Sequence, residues 1–235
     1  ADQIRGWAGV RPGDNLWALD LLRIKRDLEL VPLIKEAAVE RVLPNRLNLR
    51  VTEREPVARV FAFLPHAGDP MYKLVSYYLD ADGYVMQLDE SDPALKQIPG
   101  LDQLPRLEGV NAVSVPPGRV VESGQILAAL GLIRQFEQSP MLGRADLVRI
   151  DLATPGLLHV MTGQGGDIYF ATERLDWQLR RWRLVYDYGC QQGRAIKSLD
   201  LSVTNNLPVA WVEAGMVPPP RSPVRKPTHN RKSHV

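Results

Sequence analysis

The stretch from Leu28 to Ala58 reads LELVPLIKEAAVERVLPNRLNLRVTEREPVA, and it decides the first part of the fold. After Pro44-Asn45, the apolar residues Leu47, Leu49 and Val51 alternate with polar residues, which is the period of a half-buried strand. An apolar run precedes the Pro-Asn pair and is typical of another strand. The stretch therefore predicts two strands joined by a Pro-Asn turn.

A helix is predicted immediately upstream of these strands. Leu21, Leu22, Ile24 and Leu28 recur at helical spacing, and Asp20 is a suitable residue to cap the first turn. The chain itself begins within another helical pattern that ends near Gly9. The first fifty residues thus predict two helices followed by two strands.

Beyond Ala58, strands alternate with two amphipathic helices. The expected elements are strands at 57–63, 74–79 and 84–86, a helix at 122–139, strands at 147–152, 157–161 and 168–170, a helix at 174–188, and strands at 196–203 and 207–212. The apolar side of the first helix is formed by Ile126, Leu127, Leu130, Ile133 and Phe136. That of the second is formed by Leu175, Leu179, Trp182 and Tyr186. Strands with interspersed helices predict an α+β domain over about 57–212.

The formal charge of +2 hides two different regions. Residues 217–235 carry five Lys or Arg and no acid, which leaves 24 basic and 27 acidic residues elsewhere. This final segment is rich in proline and poor in apolar residues, so residues 213–235 are expected to be a disordered basic tail.

The sequence contains no complete motif for phosphate binding, metal binding or nucleophilic catalysis. Thr162–Asp167 is glycine-rich but lacks the Lys-Ser/Thr of a phosphate loop, and Asp80–Gly83 lacks the remaining ligands of a calcium loop. The four histidines have no metal-site spacing, and Cys190 has no histidine nearby in sequence. We therefore expect no catalytic, cofactor-binding or metal site and no small-molecule substrate.

One basic cluster lies in the second predicted helix. It consists of Arg174, Arg180, Arg181 and Arg183, interleaved with Trp177 and Trp182. Basic and aromatic residues in this arrangement could suit nucleic acid. A helix with a buried Leu/Trp stripe and a charged outer face explains the same pattern, and we favour that interpretation. No nucleic-acid partner is expected.

Three short motifs follow one another in the first 58 residues: Gly13-Asp14-Asn15-Leu16, Leu43-Pro44 and VTEREPVA at 51–58. Their order resembles that in the POTRA module of the FtsQ and DivIB family of bacterial division proteins. The resemblance implies a POTRA domain at 1–56, with two helices on a short sheet, and an FtsQ-like β domain at 57–212. A POTRA module normally opens with a strand, so the first strand is expected to be missing and the chain to be a fragment.

The same resemblance implies a function. Members of the family are non-enzymatic scaffolds of the divisome, carrying one membrane-spanning helix ahead of the POTRA module. This chain would then lie on the periplasmic side of the cell inner membrane at the division septum. It would bind FtsB- and FtsL-like division proteins.

The family also implies where a partner would bind. Its second domain ends in an exposed edge strand to which a segment of FtsB adds as a further strand, and Leu199–Trp211, LDLSVTNNLPVAW, resembles that ending. The implied contact residues are Leu199, Leu201, Ser202, Val203, Asn205, Asn206, Val209 and Trp211. Pro208 lacks an N–H and is expected to remove one bond to an added strand. Whether Trp211 packs in the core or touches the partner is left open.

Two alternatives remain. A POTRA module could belong to the periplasmic part of an outer-membrane assembly or secretion protein, which would carry several POTRA repeats or a barrel. An enzyme of unknown type is suggested only by the size of the second domain.

Overall fold

The computed structural model describes residues 2–65, 72–88, 98, 100–221 and 232–234. Most of the loop predicted at 65–70 lies outside the described residues. The chain divides into two compact units, of which the first ends at Glu55 and also includes the segment Lys232–His234. The second begins at Pro56, one residue before the start predicted for the β domain.

The first unit contains two helices and a three-stranded sheet. Its helices are α1 (Asp2–Ala8) and α2 (Leu21–Glu29), and its first strands are β1 (Ile34–Val42) and β2 (Arg46–Glu53), paired antiparallel. The Asp20 side chain accepts hydrogen bonds from the amides of Leu22 and Arg23, as its predicted capping role requires. Leu43-Pro44, a cis peptide, occupies the turn between the two strands.

The Gly13–Leu16 turn is stabilised by its own side chains. Gly13 adopts a φ of 97°, a left-handed conformation that favours glycine. Asp14 Oδ2 accepts from the amide of Arg11 at 2.7 Å. Arg41 of β1 donates from Nε to the carbonyl of Leu16 at 2.9 Å, which fixes the turn to the sheet.

The core of this unit lies between the helices and one face of the sheet. Its buried residues include Ile24 and Leu28 of α2 and Leu47, Leu49 and Val51 of β2, so the predicted apolar alternation is confirmed. Asn48 was expected on the polar side, yet it is also buried. A third strand, Lys232–His234, pairs antiparallel with β2 and makes β2 the central strand of this sheet.

The second unit is built on one mixed sheet. Its strands, in chain order, are β3 (Pro56–Pro65), β4 (Tyr72–Asp80), β5 (Val85–Met86), β6 (Arg106–Glu108), β7 (Leu147–Asp151), β8 (Leu157–Thr162), β9 (Asp167–Ala171), β10 (Arg194–Asp200) and β11 (Val209–Glu213). Their order across the sheet is β11-β10-β9-β8-β7-β6-β3-β4-β5. Within the described residues, parallel pairing joins β9 to β10, β3 to β6, and β6 to β7, and the other pairs are antiparallel. We call Lys232–His234 β12.

Two helices cover one face of this sheet. Helix α3 (Gly124–Glu137) connects the parallel strands β6 and β7, and α4 (Leu175–Gln191) connects the parallel strands β9 and β10. Such connections place the helices over the sheet. The rings of Phe136 and Trp182, one from each helix, lie 5.8 Å apart between their centroids. Trp182 also meets Phe170 of β9 edge to face, which puts the centre of the core beneath α4.

The predicted α+β fold is confirmed, and its differences from prediction are local. Leu127 was assigned to the apolar side of the first helix, but it is 42% exposed. Strand β10 ends at Asp200, so the residues up to Val203 form bends instead of strand. In the tail expected to be disordered, Ala214–Met216 forms a turn of 3-10 helix and Lys232–His234 forms β12.

Candidate partner-binding edge

Strand β11 lies at one edge of the nine-stranded sheet. It pairs antiparallel with β10, from Arg194 opposite Glu213 to Leu199 opposite Val209. Among the described strands, none pairs with its other side. This side therefore presents main-chain donors and acceptors to which another strand can be added.

Two hydrogen bonds at the ends of β11 show which of its residues face outward. The amide of Asp200 donates to the carbonyl of Pro208 at 3.0 Å, and the amide of Ala214 donates to the carbonyl of Gly193 at 3.1 Å. In an antiparallel strand, the N–H and the C=O of one residue point to the same side of the strand, and that side alternates from one residue to the next. The even-numbered residues thus face β10, while Val209, Trp211 and Glu213 direct their N–H and C=O groups outward.

This alternation corrects the expectation for Pro208. Its carbonyl faces β10, so the N–H that proline lacks would also have faced β10. An added strand consequently loses no hydrogen bond at this position. Proline on an edge strand is compatible with pairing on the outer side.

The indole of Trp211 packs against the C-terminal end of α4. The Trp211 ring lies directly on Gly189, where an added Cβ would contact the ring atom Cζ3. The centroid of the same ring is 6.1 Å from the ring centroid of Tyr188. The side chain is half-buried. Trp211 therefore anchors β11 to the helix and presents only part of its ring to solvent.

The loop between β10 and β11 is held by α4. The guanidinium of Arg181 donates to the carbonyls of Val203 and Thr204 at 2.7 and 3.0 Å. The same guanidinium lies 4.2 Å from the ring centroid of Trp177. Asn206 has a φ of 51°, a left-handed conformation that asparagine tolerates better than most residues.

The eight residues implied as partner contacts occupy different environments. Leu199 and Leu201 are completely buried, so their side chains belong to the core. Ser202 donates through its hydroxyl to Asp200 at 2.6 Å. Val203, Asn205 and Asn206 lie in the loop, and Val209 and Trp211 lie in β11.

Two of the four arginines in the basic cluster pair with acidic residues of α4. Arg180 pairs with Asp176, and Arg183 donates to Asp187 at 2.7 Å and to the carbonyl of Pro140 at 2.7 Å. The hydrogen bond to Asp187 raises the pKa of Arg183 above its usual range. Trp182 is buried, which fits a charged outer face over an apolar stripe.

The glycine-rich segment considered as a phosphate loop is a turn between two strands. Thr162–Asp167 leads from β8 into β9 as a turn, in which Gly166 donates to the Thr162 hydroxyl at 2.9 Å. Within the described part of the chain, no group of three or more His, Cys, Asp or Glu side chains is arranged to hold a metal ion. None of the helices described here has both the length and the apolar character of a membrane span.

Two helices on a small sheet, followed by a larger mixed sheet in which β11 is an edge strand among the described strands, agree with a POTRA module and a β domain. Residues 1–54 match the family model described as POTRA domain, FtsQ-type. A cell division protein FtsQ from Syntrophotalea carbinolica is 28% identical over 216 residues, which cover 91% of this chain and 70% of that protein. The predicted resemblance to FtsQ-type division proteins is confirmed.

Two further proteins with the name cell division protein FtsQ match shorter segments. The protein of Geotalea daltonii is 37% identical over 87 residues, covering 36% of this chain and 27% of that protein. The protein of Corynebacterium glutamicum is 26% identical over 135 residues, covering 54% of this chain and 56% of that protein. Together these matches support a role in cell division and septation.

Proposed function

We propose that this chain is a non-enzymatic scaffold of the division machinery that holds FtsB- and FtsL-like proteins by strand addition to β11. The observation that supports this most is the position of β11, which has a hydrogen-bonded neighbour, β10, on one side only within the described sheet. A partner segment can satisfy the outward groups of Val209, Trp211 and Glu213 with main-chain hydrogen bonds.

The side chains of β11 add specificity to this main-chain recognition. Val209 and Trp211 pair with Leu199 and Ile196 of β10, and they point to the face covered by α4, whereas Ala210 and Val212 point to the opposite face. A partner strand placed beside β11 would present its alternate residues to these two faces. Its residues on the first face would lie beside Trp211 and the 58% exposed Tyr188.

The remaining features of the proposal follow from the family resemblance. The POTRA module would help recruit the protein to the septum. A membrane-spanning helix upstream of Ala1 would anchor it in the cell inner membrane, with these residues on the periplasmic side.

Glu213→Pro tests strand addition with little disturbance of the fold. Glu213 is exposed, its amide faces outward, and its φ of −67° is the value that proline requires. We expect the variant to lose one hydrogen bond to the partner and to block close approach at that point, which weakens binding of an FtsB-type protein by about tenfold. Isothermal titration calorimetry measures this change.

Glu213→Ala is the matched control, because it removes the carboxylate and keeps the amide. It should bind the FtsB-type protein nearly as well as the unmodified chain, and both variants should retain the original unfolding temperature. Equal affinity for Glu213→Pro and Glu213→Ala would remove the outer side of β11 from the proposed function.

A further inference from the structure

Three arginines stand side by side on the sheet face that α3 and α4 leave uncovered. Arg59 of β3 is the direct cross-strand neighbour of Arg106 of β6, and Arg106 is the direct neighbour of Arg149 of β7. The residues that follow them, Val60, Leu107 and Ile150, are completely or almost completely buried in the core. We call the three residues the arginine row.

The arginine row is only partly balanced by acidic side chains. Glu108 lies 3.3 Å from Arg149, and within the described residues neither Arg59 nor Arg106 takes part in an ion pair. Within the described residues, the Nε atoms of Arg59 and Arg149 are shielded from solvent and have no hydrogen-bond partner, while the terminal nitrogens of Arg149 contact Glu108 and the sulfur of Met161. Like charges directly opposite one another destabilise a sheet. The row therefore carries excess positive charge, which Glu108 balances only at Arg149.

An aromatic ring adjoins the row. The guanidinium carbons of Arg59 and Arg106 lie 4.9 and 5.6 Å from the ring centroid of Phe61. The ring is half-buried, and it holds the two guanidinium groups together on the surface while offering an apolar contact beside them. Arg106 is exposed. Arg59 and Arg149 are half-buried, so a partner would reach the row chiefly at Arg106.

We propose that the arginine row binds an acidic segment of a partner protein, in addition to the partner proposed for β11. Guanidinium groups match carboxylates in a fork of two parallel hydrogen bonds. Two strand spacings separate the outer members of the row, about 10 Å, which is room for two carboxylates. Phe61 would contact an apolar residue of the same segment.

The surroundings of the row favour a short acidic peptide over a long polyanion. Glu108 and Asp151 are cross-strand neighbours one pleat further along β6 and β7. Asp151 accepts from the amide of Ala153 at 2.8 Å. Their carboxylates would repel the continuous phosphates of a nucleic acid or the headgroups of an anionic membrane.

Nuclear magnetic resonance of the arginine side chains tests the proposal with the whole 235-residue chain. The probe is an acetylated hexapeptide of alternating Glu and Leu, and a hexapeptide of alternating Gln and Leu is its control. We expect the Glu peptide to shift the Nε signals of Arg59, Arg106 and Arg149, and the Gln peptide to leave them in place. Binding should weaken as salt is added.

Arg106→Glu should reduce the affinity for the Glu peptide by at least about tenfold. The same variant should unfold at a higher temperature, because it replaces two repulsions within the row by two attractions. Arg134→Glu, at an exposed position on α3, makes the same charge change away from the row and should leave the affinity unchanged. Glu213→Pro should also leave it unchanged, which separates this proposal from strand addition.

Several results would overturn the proposal. They are the absence of any shift with the Glu peptide, equal shifts with the Gln peptide, or equal losses of affinity in Arg106→Glu and Arg134→Glu. A twelve-nucleotide oligothymidine or vesicles of anionic lipid that displaced the Glu peptide from the row would assign it to a polyanion instead.

Discussion

At the scale of single residues, Gly189 determines where the edge strand sits. A Cβ at this position would contact the Trp211 ring and lie 2.9 Å from the carbonyl oxygen of Arg194. The indole of Trp211 can pack against the helix only because Gly189 has no Cβ. The sequence left two roles open for Trp211, and the register that brings it onto Gly189 could not be deduced from either residue alone.

Gly189→Ala should therefore destabilise the second unit. Over-packing of this kind typically costs about 1–3 kcal/mol, which exceeds the gain of about 0.5–1 kcal/mol from replacing a glycine within a helix. Denaturant unfolding followed by tryptophan fluorescence measures the change. Gly131→Ala in α3 is the control, because its Cβ would meet only Leu175 at 3.9 Å, and it should be neutral or stabilising. A Gly189→Ala variant as stable as Gly131→Ala would contradict the packing described for Trp211.

At the scale of the element, α4 combines a predictable stripe with an unpredictable polar contact. Leu175, Leu179 and Trp182 are buried, as their helical spacing predicts. Gln178 is equally buried, although the apolar pattern omits it. Its amide accepts from the N–H of Ala171 at 2.9 Å and donates to the carbonyls of Ala171 and Glu173 at 3.1 and 2.6 Å.

Gln178→Leu should lower the free energy of unfolding by about 1–3 kcal/mol, because it removes three hydrogen bonds to partly buried main-chain groups at the end of β9. Thermal unfolding monitored by circular dichroism measures the loss. Gln191→Leu, at the exposed end of the same helix, serves as the control and should change stability by less than about 0.5 kcal/mol. Equal effects of the two substitutions would show that the three hydrogen bonds do not stabilise the connection between β9 and α4.

At the scale of the whole molecule, the elements follow from local patterns and the site follows from long-range pairing. The apolar positions of β2 and the Asp20 cap of α2 are both confirmed, because each depends on neighbouring residues. The arginine row is different, since its members come from three strands far apart in the sequence. Hydropathy and spacing contain no information about such a register.

The predicted edge position of the terminal strand agrees with the sheet order, and the predicted partner contacts stay predictions. Leu199 and Leu201 point into the core, and the main-chain direction of Pro208 was not deducible without the bonds to Asp200. Glu213, which the sequence did not suggest, offers an outward amide at the end of β11.

Amide hydrogen exchange of the complex with an FtsB-type protein, resolved by residue, tests strand addition most directly. The amides of Val209, Trp211 and Glu213 should become protected when the partner binds, because they face outward and gain bonds. Those of Ala210 and Val212, which already face β10, should change little by comparison. Protection of other surfaces with continued rapid exchange at Val209, Trp211 and Glu213 would contradict the account.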